Sequence, residues 1–463
     1  MWGINLDREN ELSLRRQIYQ CLRDQMISGK LKSGEPLPSS RELSRGLNVS
    51  RSTVSEAYDM LIAEGFVVSS QGAPTRVAEG LEMGKVPGIV SHIEIPQEQS
   101  FLADFRTGRP DLRQFPRFLW QQMLLKAADE LTQEQYGYTG AQGIPELRNE
   151  ISSWLFRSRG ISVDARDIFI TQGATHALHL IADLLCGEGE EIIMEDPCHT
   201  GMLRTFLNNG CHVIPIPADE YGIQPELLKD RKARIVYVTP SHQFPLGGIL
   251  PASRRASLIH FARDNEAYII EDDYDSEFRY CGESIAPLYA MDSQCVIYVG
   301  TFSKSVYPGL RIGYVILPAQ IQKQWIRLRT YTDVQSPILE QAALAMFLRT
   351  RKLDRHIQKM RRIYGERRKV LLDSLTQTFG SEWRAYGDDA GLHLAVEFPA
   401  FHFNDTFRKS CLEKGINITP VKYHCIENGR HQSKLLIGYG HLEPDEIRRG
   451  IKHLHSHIKD YFK

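Results

Sequence analysis

The sequence predicts a multidomain protein in which a small, mainly helical domain precedes a large α/β domain and a smaller α+β domain. At 463 residues, the chain is longer than a single hydrophobic core usually serves. Apolar residues recur at helical spacing through residues 14–61. From about residue 105, short apolar runs alternate with helical segments, which is typical of a parallel, doubly wound sheet.

Composition and charge exclude several classes of protein. Hydrophobic residues make up 42% and charged residues 24% of the chain, as in ordinary soluble globular proteins. Neither a membrane span of ~20 apolar residues nor a signal peptide is recognisable, so we expect a cytoplasmic protein. Eight scattered cysteines without a C-x-x-C pair indicate reduced thiols, with no disulfide scaffold and no metal site. The net charge is −1, and residues 1–80 hold ten basic and ten acidic side chains. Any DNA contact there must therefore come from local clustering of basic residues.

The first domain shows three helices and a hairpin. Its first apolar stripe, which ends at Gly29, comprises Leu14, Ile18, Leu22 and Met26. Ser39 followed by Glu42 predicts a capped second helix. Ser50 caps a third helix whose first turn presents Arg51, Ser52 and Thr53 outward, as the second helix of a helix-turn-helix presents its first residues to the major groove. Two short strands around Gly72-Ala-Pro74 predict a wing with Arg76 near its tip.

Three segments carry a resemblance across residues 10–78. They are Leu37-Pro-Ser-Ser-Arg-Glu-Leu-Ser44, Leu47-Asn-Val-Ser-Arg-Ser-Thr-Val54 and Leu61-Ile-Ala-Glu-Gly65. They resemble the winged helix-turn-helix of GntR-type regulators, although Pro74 replaces the second glycine of the usual wing motif. The resemblance implies binding to double-stranded DNA, with candidate contacts at Arg41, Ser50, Arg51, Ser52, Thr53 and Arg76. A small helical bundle for protein contacts is the alternative.

Residues 81–104 lack a sustained period and contain proline and glycine, which predicts a linker. We therefore expect a DNA-binding domain at 1–80 and an effector and dimerisation domain at 105–463. Its large part extends to about residue 335, and its small part covers about 336–463.

Polar residues follow the predicted strands of the large domain, where α/β proteins bind ligands. Lys304 and then Arg311 follow one apolar run, which places an amine near a guanidinium suited to phosphate. Asp272 follows another strand, and Ala174 and Thr175 open a helix whose amides suit a phosphate. An amine, a phosphate clamp and a buried carboxylate are what pyridoxal 5'-phosphate (PLP) requires.

Each candidate has a role in such a site. Lys304 would form a Schiff base with the cofactor aldehyde, and Asp272 would hold the ring nitrogen protonated. Tyr274, with His242 or Gln243, would bind the 3-oxygen of the ring. The phosphate would be held by Thr301, Ser303 and Arg311 together with Ala174 and Thr175.

The large domain resembles fold-type I aminotransferases. The motifs are Glu195-Asp-Pro197, Thr239-Pro-Ser-His-Gln-Phe-Pro245, Glu271-Asp-Asp-Tyr-Asp-Ser-Glu-Phe278 and Gly300-Thr-Phe-Ser-Lys304. With the first domain, the chain resembles MocR/GabR-type regulators over nearly its full length. The resemblance implies a homodimer with head-to-tail exchange, His199 stacked on the cofactor, and Tyr138 lent to the phosphate of the partner's cofactor. A plain loop tyrosine is the alternative for Tyr138.

The chain departs from that pattern where aminotransferases hold a substrate carboxylate. The stretch before one late strand reads Gln432-Ser-Lys434, Arg430 is out of register, and Cys198-His-Thr-Gly201 offers no arginine. Without a bidentate clamp, amino acids should bind less firmly. We therefore predict a transcriptional regulator that senses PLP or an amino compound. The alternatives are an active aminotransferase with an accessory DNA-binding module, and a protein–protein adaptor.

Overall fold

The computed structural model describes residues 2–70, 72–81, 100–280, 282, 285–387 and 389–463. The chain divides into two compact units, Met1–Glu98 and Gln99–Lys463. Most of the expected linker lies outside the described residues. Its last part, Ala103–Asp104, is a strand that pairs in parallel with Ile416–Asn417, and Ala103 is buried. The second unit therefore begins before residue 105.

The first unit contains three helices and a two-stranded wing. These are α1 (Leu14–Ile27), α2 (Ser40–Leu47), α3 (Arg51–Ala63), β1 (Val67–Val68) and β2 (Arg76–Val77). As predicted, the Ser39 hydroxyl accepts the N–H of Glu42 and the Ser50 hydroxyl accepts the N–H of Thr53, at 3.2 and 3.1 Å. These bonds fix the first residue of each helix and so the direction in which α3 presents its first turn.

The second unit alternates helices and strands. Its helices are α4 (Arg117–Glu130), α5 (Pro145–Arg159), α6 (Ala174–Leu185), α7 (Thr200–Asn208), α8 (Ala252–Asp264), α9 (Ala319–Thr332), α10 (Ile338–Arg349), α11 (Lys352–Phe379), α12 (Asp405–Glu413) and α13 (Pro444–Tyr461). Its strands are β3 (Ala103–Asp104), β4 (Ile168–Thr171), β5 (Glu191–Asp196), β6 (His212–Asp219), β7 (Gly222–Ile223), β8 (Ile235–Val238), β9 (Tyr268–Asp273), β10 (Val296–Thr301), β11 (Gly313–Ile316), β12 (Arg384–Tyr386), β13 (His393–Glu397), β14 (Ile416–Asn417), β15 (Thr419–Pro420) and β16 (Lys434–Gly438).

The main sheet has eight strands in the order β4-β11-β10-β9-β8-β5-β6-β7. From β10 to β6 the neighbours are parallel, as predicted. The predicted parallel arrangement does not extend to β11, which runs antiparallel to both β10 and β4, or to the short strand β7, which runs antiparallel to β6. The reason is the connection: residues 302–312 form a loop without the crossover helix that a parallel partner requires.

Two layers of helices cover the sheet. One core cluster joins α4, α5 and α10 to one face, and another joins α6, α7 and α9 to the other. Strands β8 and β10 are buried at every position, so apolar runs specify them. Their carboxyl ends meet at one edge, where the predicted site residues lie.

The smaller part of the second unit is an α+β layer, as predicted. Its four-stranded sheet has the order β12-β13-β16-β15, and α11 and α13 pack in the same core cluster. The predicted helix at 356–372 lies inside α11, which is 28 residues long. Among the helices of the described ranges, none is long and apolar enough to cross a membrane.

Candidate cofactor-binding site

A cavity of about 310 Å³ opens at the carboxyl ends of the central strands. Most of the predicted cofactor residues line it, namely Ala174, Thr175, His199, Asp272, Tyr274, Thr301, Ser303, Lys304 and Arg311. Parallel strands bring these residues together because their carboxyl ends share one edge of the sheet.

Lys304 follows β10 and reaches the cavity with its amine. Its Nζ donates a hydrogen bond to the backbone carbonyl of Gly108. Burial lowers the pKa of Lys304 below its ordinary value of 10.5, against the opposing charges of Asp275 and Asp272. A lower pKa increases the fraction of neutral amine, which is the nucleophilic form. A Cβ atom at Gly108 would lie 3.0 Å from Nζ, so this position is tight for any larger residue.

Asp272 is the second-to-last residue of β9, and one of its carboxylate oxygens is hydrogen-bonded while the other is not. Its Oδ2 accepts a hydrogen bond of 2.7 Å from the Tyr237 hydroxyl. Its Oδ1 is buried and has no hydrogen-bond partner among the described residues. Burial raises the pKa of Asp272 to about 7. A buried carboxylate oxygen of this kind requires a donor, and a protonated pyridine nitrogen supplies one.

The opposite end of the cavity is suited to phosphate. Helix α6 starts after Gly173, whose φ is +86°, and its first backbone amides face this end. A Cβ atom at Gly173 would lie 2.8 Å from Arg311 Nη2, which in turn donates to the carbonyl of Gln172 at 2.9 Å. The hydroxyls of Thr301 and Ser303 bond to each other at 3.0 Å beside them.

Tyr274 lines the cavity, whereas His242 and Gln243 lie outside the set of lining residues. The Tyr274 hydroxyl donates to the carbonyl of His242 at 3.0 Å and lies 2.9 Å from its Nδ1. His242 Nδ1 is also 3.0 Å from Asp275. Gln243 donates to the carbonyls of Pro197 and Phe244, both at 2.9 Å. His242 therefore positions the Tyr274 hydroxyl, and Gln243 joins the loop of Pro197 to its own loop.

His199 and Tyr138 occupy different environments. The His199 ring lines the cavity, its Nδ1 accepts the N–H of Met202 at 3.3 Å, and burial lowers its pKa. A neutral ring with a fixed Nδ1 can present its face to a bound aromatic ring. Tyr138 is 88% exposed and is not a lining residue of this cavity. Its expected role in a partner's site remains a prediction.

Sequence analysis missed several lining residues, including Gly108, Tyr237 and His393. Tyr237 had a usable signal, because it lies on a predicted strand beside the strand of Asp272. Gly108 lies 196 positions from Lys304, and no local pattern links them. His393 begins β13 in the small part of the unit.

The two cations that the sequence places near the expected carboxylate clamp both pair with carboxylates. Lys434 is buried and pairs with Glu397 at 3.0 Å, and Arg430 pairs with Glu427 at 2.7 Å. Within the described part of the chain, Lys304 and Arg311 are the lysine and arginine side chains that line the cavity. Both are suited to the cofactor, and in that role neither would be available to a substrate carboxylate.

These residues fit PLP. Its phosphate matches the start of α6 with Arg311, its ring nitrogen matches the unpaired Asp272 oxygen, and its aldehyde matches the Lys304 amine. When bound, PLP supplies an electron-withdrawing ring to an attached amino compound. The protein's part is to bind it, orient it, and hold a carboxylate at the ring nitrogen.

The predicted DNA-contacting residues lie on the first unit. Arg41, Arg51 and Arg76 are all exposed. Arg51 begins α3, and its Nε donates to the Ser40 hydroxyl at 3.2 Å. Ser50 bonds to the hydroxyls of Ser52 and Thr53, both at 2.7 Å. Arg76 begins β2, pairs with Val68 at the end of the wing strands that leads into the connecting residues, and donates to the Gly34 carbonyl at 2.8 Å. Its contact with DNA remains a prediction.

Comparisons with known proteins match both units. Residues 111–454 match the family "Aminotransferase class I and II", and residues 14–77 match "Bacterial regulatory proteins, gntR family". The chain is 31% identical to the probable rhizopine catabolism regulatory protein MocR of Rhizobium meliloti, over 97% of this chain and 95% of that one. It is also 31% identical to the HTH-type pyridoxine biosynthesis transcriptional regulator PdxR of Corynebacterium glutamicum, over 96% of each.

Solved structures resemble the second unit. The crystal structure of kynurenine aminotransferase from Pyrococcus horikoshii, in complex with PMP, aligns with a TM-score of 0.73 and 25% identity. It covers 79% of this chain and 92% of that one. The predicted fold class and the predicted cofactor, PLP, are thereby confirmed. The two domains match in order along nearly the whole length, and the chain belongs to the MocR-type family of helix-turn-helix regulators, which join a GntR-type DNA-binding domain to an aminotransferase-like domain.

Proposed function

We propose that this protein is a cytoplasmic transcriptional regulator that binds DNA through its first unit and senses PLP through Lys304 in its second. The observation that carries this proposal is a single chain that combines a GntR-type unit, with Arg51 exposed at the start of α3, and a cavity suited to PLP. A cofactor that binds two states of the protein with different affinity shifts the balance between them.

The sensed ligand, in our proposal, is PLP itself rather than an amino acid. The cavity uses both of its lining cations for the cofactor, and the nearby Lys434 and Arg430 pair with carboxylates. An amino acid carboxylate would therefore lack a bidentate partner. The name of one relative, a pyridoxine biosynthesis regulator, is consistent with a ligand of this kind.

The active form is proposed to be a homodimer with head-to-tail exchange. In this arrangement Tyr138, which is 88% exposed in one chain, would contact the phosphate of the cofactor bound by the partner. A two-fold dimer would carry two winged domains, which suits recognition of two half-sites. The competing interpretation is an aminotransferase with steady turnover, but among the described residues that line the cavity the cations are Lys304 and Arg311, both suited to the cofactor.

Replacement of Arg51 tests DNA binding by α3. We expect Arg51→Ala to weaken binding to the protein's own upstream DNA by ~1–3 kcal/mol, roughly 5- to 150-fold, with a smaller dependence on salt if the contact is to phosphate. Fluorescence anisotropy at two salt concentrations measures this effect. The control Arg23→Ala, which alters a partly exposed arginine of α1, should bind as the wild type does. Equal affinities for wild type and Arg51→Ala at both salt concentrations would remove Arg51 from the DNA interface.

A further inference from the structure

A row of exposed basic side chains runs along α11. Its members are Arg355, Lys359, Arg362 and Lys369. Their spacings of four, three and seven residues place them on one face of the helix. Over 14 positions, at about 1.5 Å per residue, the row extends about 21 Å. None of the four forms an ion pair with any residue that the structure describes. One acidic residue, Glu366, lies between Arg362 and Lys369 in this row.

An open cleft of about 540 Å³ lies beside this row. Its basic lining residues are Arg279, Arg361, Arg362, Arg368 and Lys369. Asp373 is the carboxylate among the described lining residues. Clustered charge of one sign in a concave surface attracts ions of the other sign.

We propose that this basic row and cleft bind the phosphate backbone of DNA, as a second DNA-contacting surface of the protein. The proposal rests on the proposed function as a DNA-binding regulator. The first domain has ten basic and ten acidic side chains, so it contributes no net positive charge to binding. A small anion needs one pocket, whereas a row of about 21 Å suits a polyanion such as DNA, which carries a charge about every 1.7 Å along its axis.

Two backbone segments connect this cleft to the cofactor cavity. The N–H of Tyr280 donates to the Asp389 carbonyl, and the N–H of Gly391 donates to the Phe278 carbonyl, both at 2.8 Å. The Tyr280 hydroxyl also donates to the Gly391 carbonyl at 2.6 Å. Tyr280 lines the cleft, whereas Tyr274, six positions earlier, lines the cavity.

Neighbouring residues of these two segments also contact the cavity and the cleft. Leu392 and His393, which follow Gly391, line the cavity. Arg361 of the cleft donates twice to the carbonyl of Glu277, at 3.0 and 2.8 Å. Direct hydrogen bonds therefore join one wall of the cofactor cavity to the cleft.

The test is the full-length, PLP-loaded double variant R362Q/K369Q, which removes two unpaired charges and no hydrogen bond that the structure describes. We expect roughly tenfold weaker binding to the upstream DNA at low salt, and a log–log salt slope that is shallower by about 1 to 2. Random-sequence DNA of the same length should lose affinity by a similar factor, because phosphates carry no sequence information.

The matched control is K323Q/R327Q, which removes the same two kinds of exposed charge from α9. It should bind DNA as the wild type does. If R362Q/K369Q keeps the wild-type affinity and slope, or if the control loses as much, the second surface is wrong while the proposed function stands. If the wild type itself binds no DNA, the proposed function fails as well. Circular dichroism verifies folding. If the double variant unfolds, the single variant R362Q replaces it, and we expect it to show about half of the change in salt slope.

Discussion

Lys304→Ala is expected to abolish covalent attachment of PLP while leaving the protein folded. The wild type, treated with borohydride after loading, should carry the cofactor on the peptide that contains Lys304, and the variant should carry none. Folding should survive because the described contacts of Nζ amount to one hydrogen bond, to the Gly108 carbonyl at the edge of a cavity. Mass spectrometry of the digested protein measures attachment, and circular dichroism measures folding.

The matched control for this prediction is Lys323→Ala. Lys323 is an exposed lysine of α9, so its loss should leave attachment unchanged. If Lys304→Ala retained a borohydride-stable cofactor at the level of the wild type, another amine would be the site of attachment, and the assignment of Lys304 would be wrong.

Asp272→Asn is expected to weaken PLP binding by roughly 10- to 150-fold. The loss of a hydrogen bond to a charged group is typically worth ~1.5–3 kcal/mol, and Asp272 offers a buried oxygen that has no other partner among the described residues. The amide cannot balance a protonated ring nitrogen. Equilibrium titration of the PLP-free protein with PLP, followed by absorbance, gives the two dissociation constants.

Tyr237→Phe distinguishes the contact of Asp272 with the ring nitrogen from the hydrogen bond that holds Asp272 in place. The Tyr237 hydroxyl donates to the other oxygen of Asp272 at 2.7 Å. This variant therefore keeps the carboxylate and loses only that hydrogen bond. Its effect on PLP affinity should be smaller than that of Asp272→Asn. Equal PLP affinities of the wild type and Asp272→Asn would show that this carboxylate does not contact the ring nitrogen of the cofactor.

The sequence predicted the elements that are specified by local pattern. The apolar runs that became β8, β9 and β10 are continuous, so they mark buried strands wherever the rest of the chain goes. The polar residues at or beyond the carboxyl ends of these strands then share one edge of the sheet, which is why Asp272, Lys304 and Arg311 could be grouped from the sequence alone.

What the sequence did not predict depends on distant parts of the chain. The antiparallel direction of β11 follows from a loop, and its apolar run looks the same in either direction. The contact of Lys304 with Gly108 spans 196 positions. The support of Asp272 by Tyr237 requires the register between β8 and β9.

The most direct test of the account is the affinity of the protein for its upstream DNA, measured without PLP, with PLP, and with PLP in Lys304→Ala. We predict that PLP changes the affinity of the wild type and leaves that of the variant unchanged, since in this account the cofactor acts through its covalent bond to Lys304. Common α-amino acids and γ-aminobutyrate should add little, because the carboxylate clamp is missing. Equal wild-type affinity with and without PLP, together with rapid multiple-turnover formation of a keto acid from an amino acid, would contradict the account and favour an enzyme.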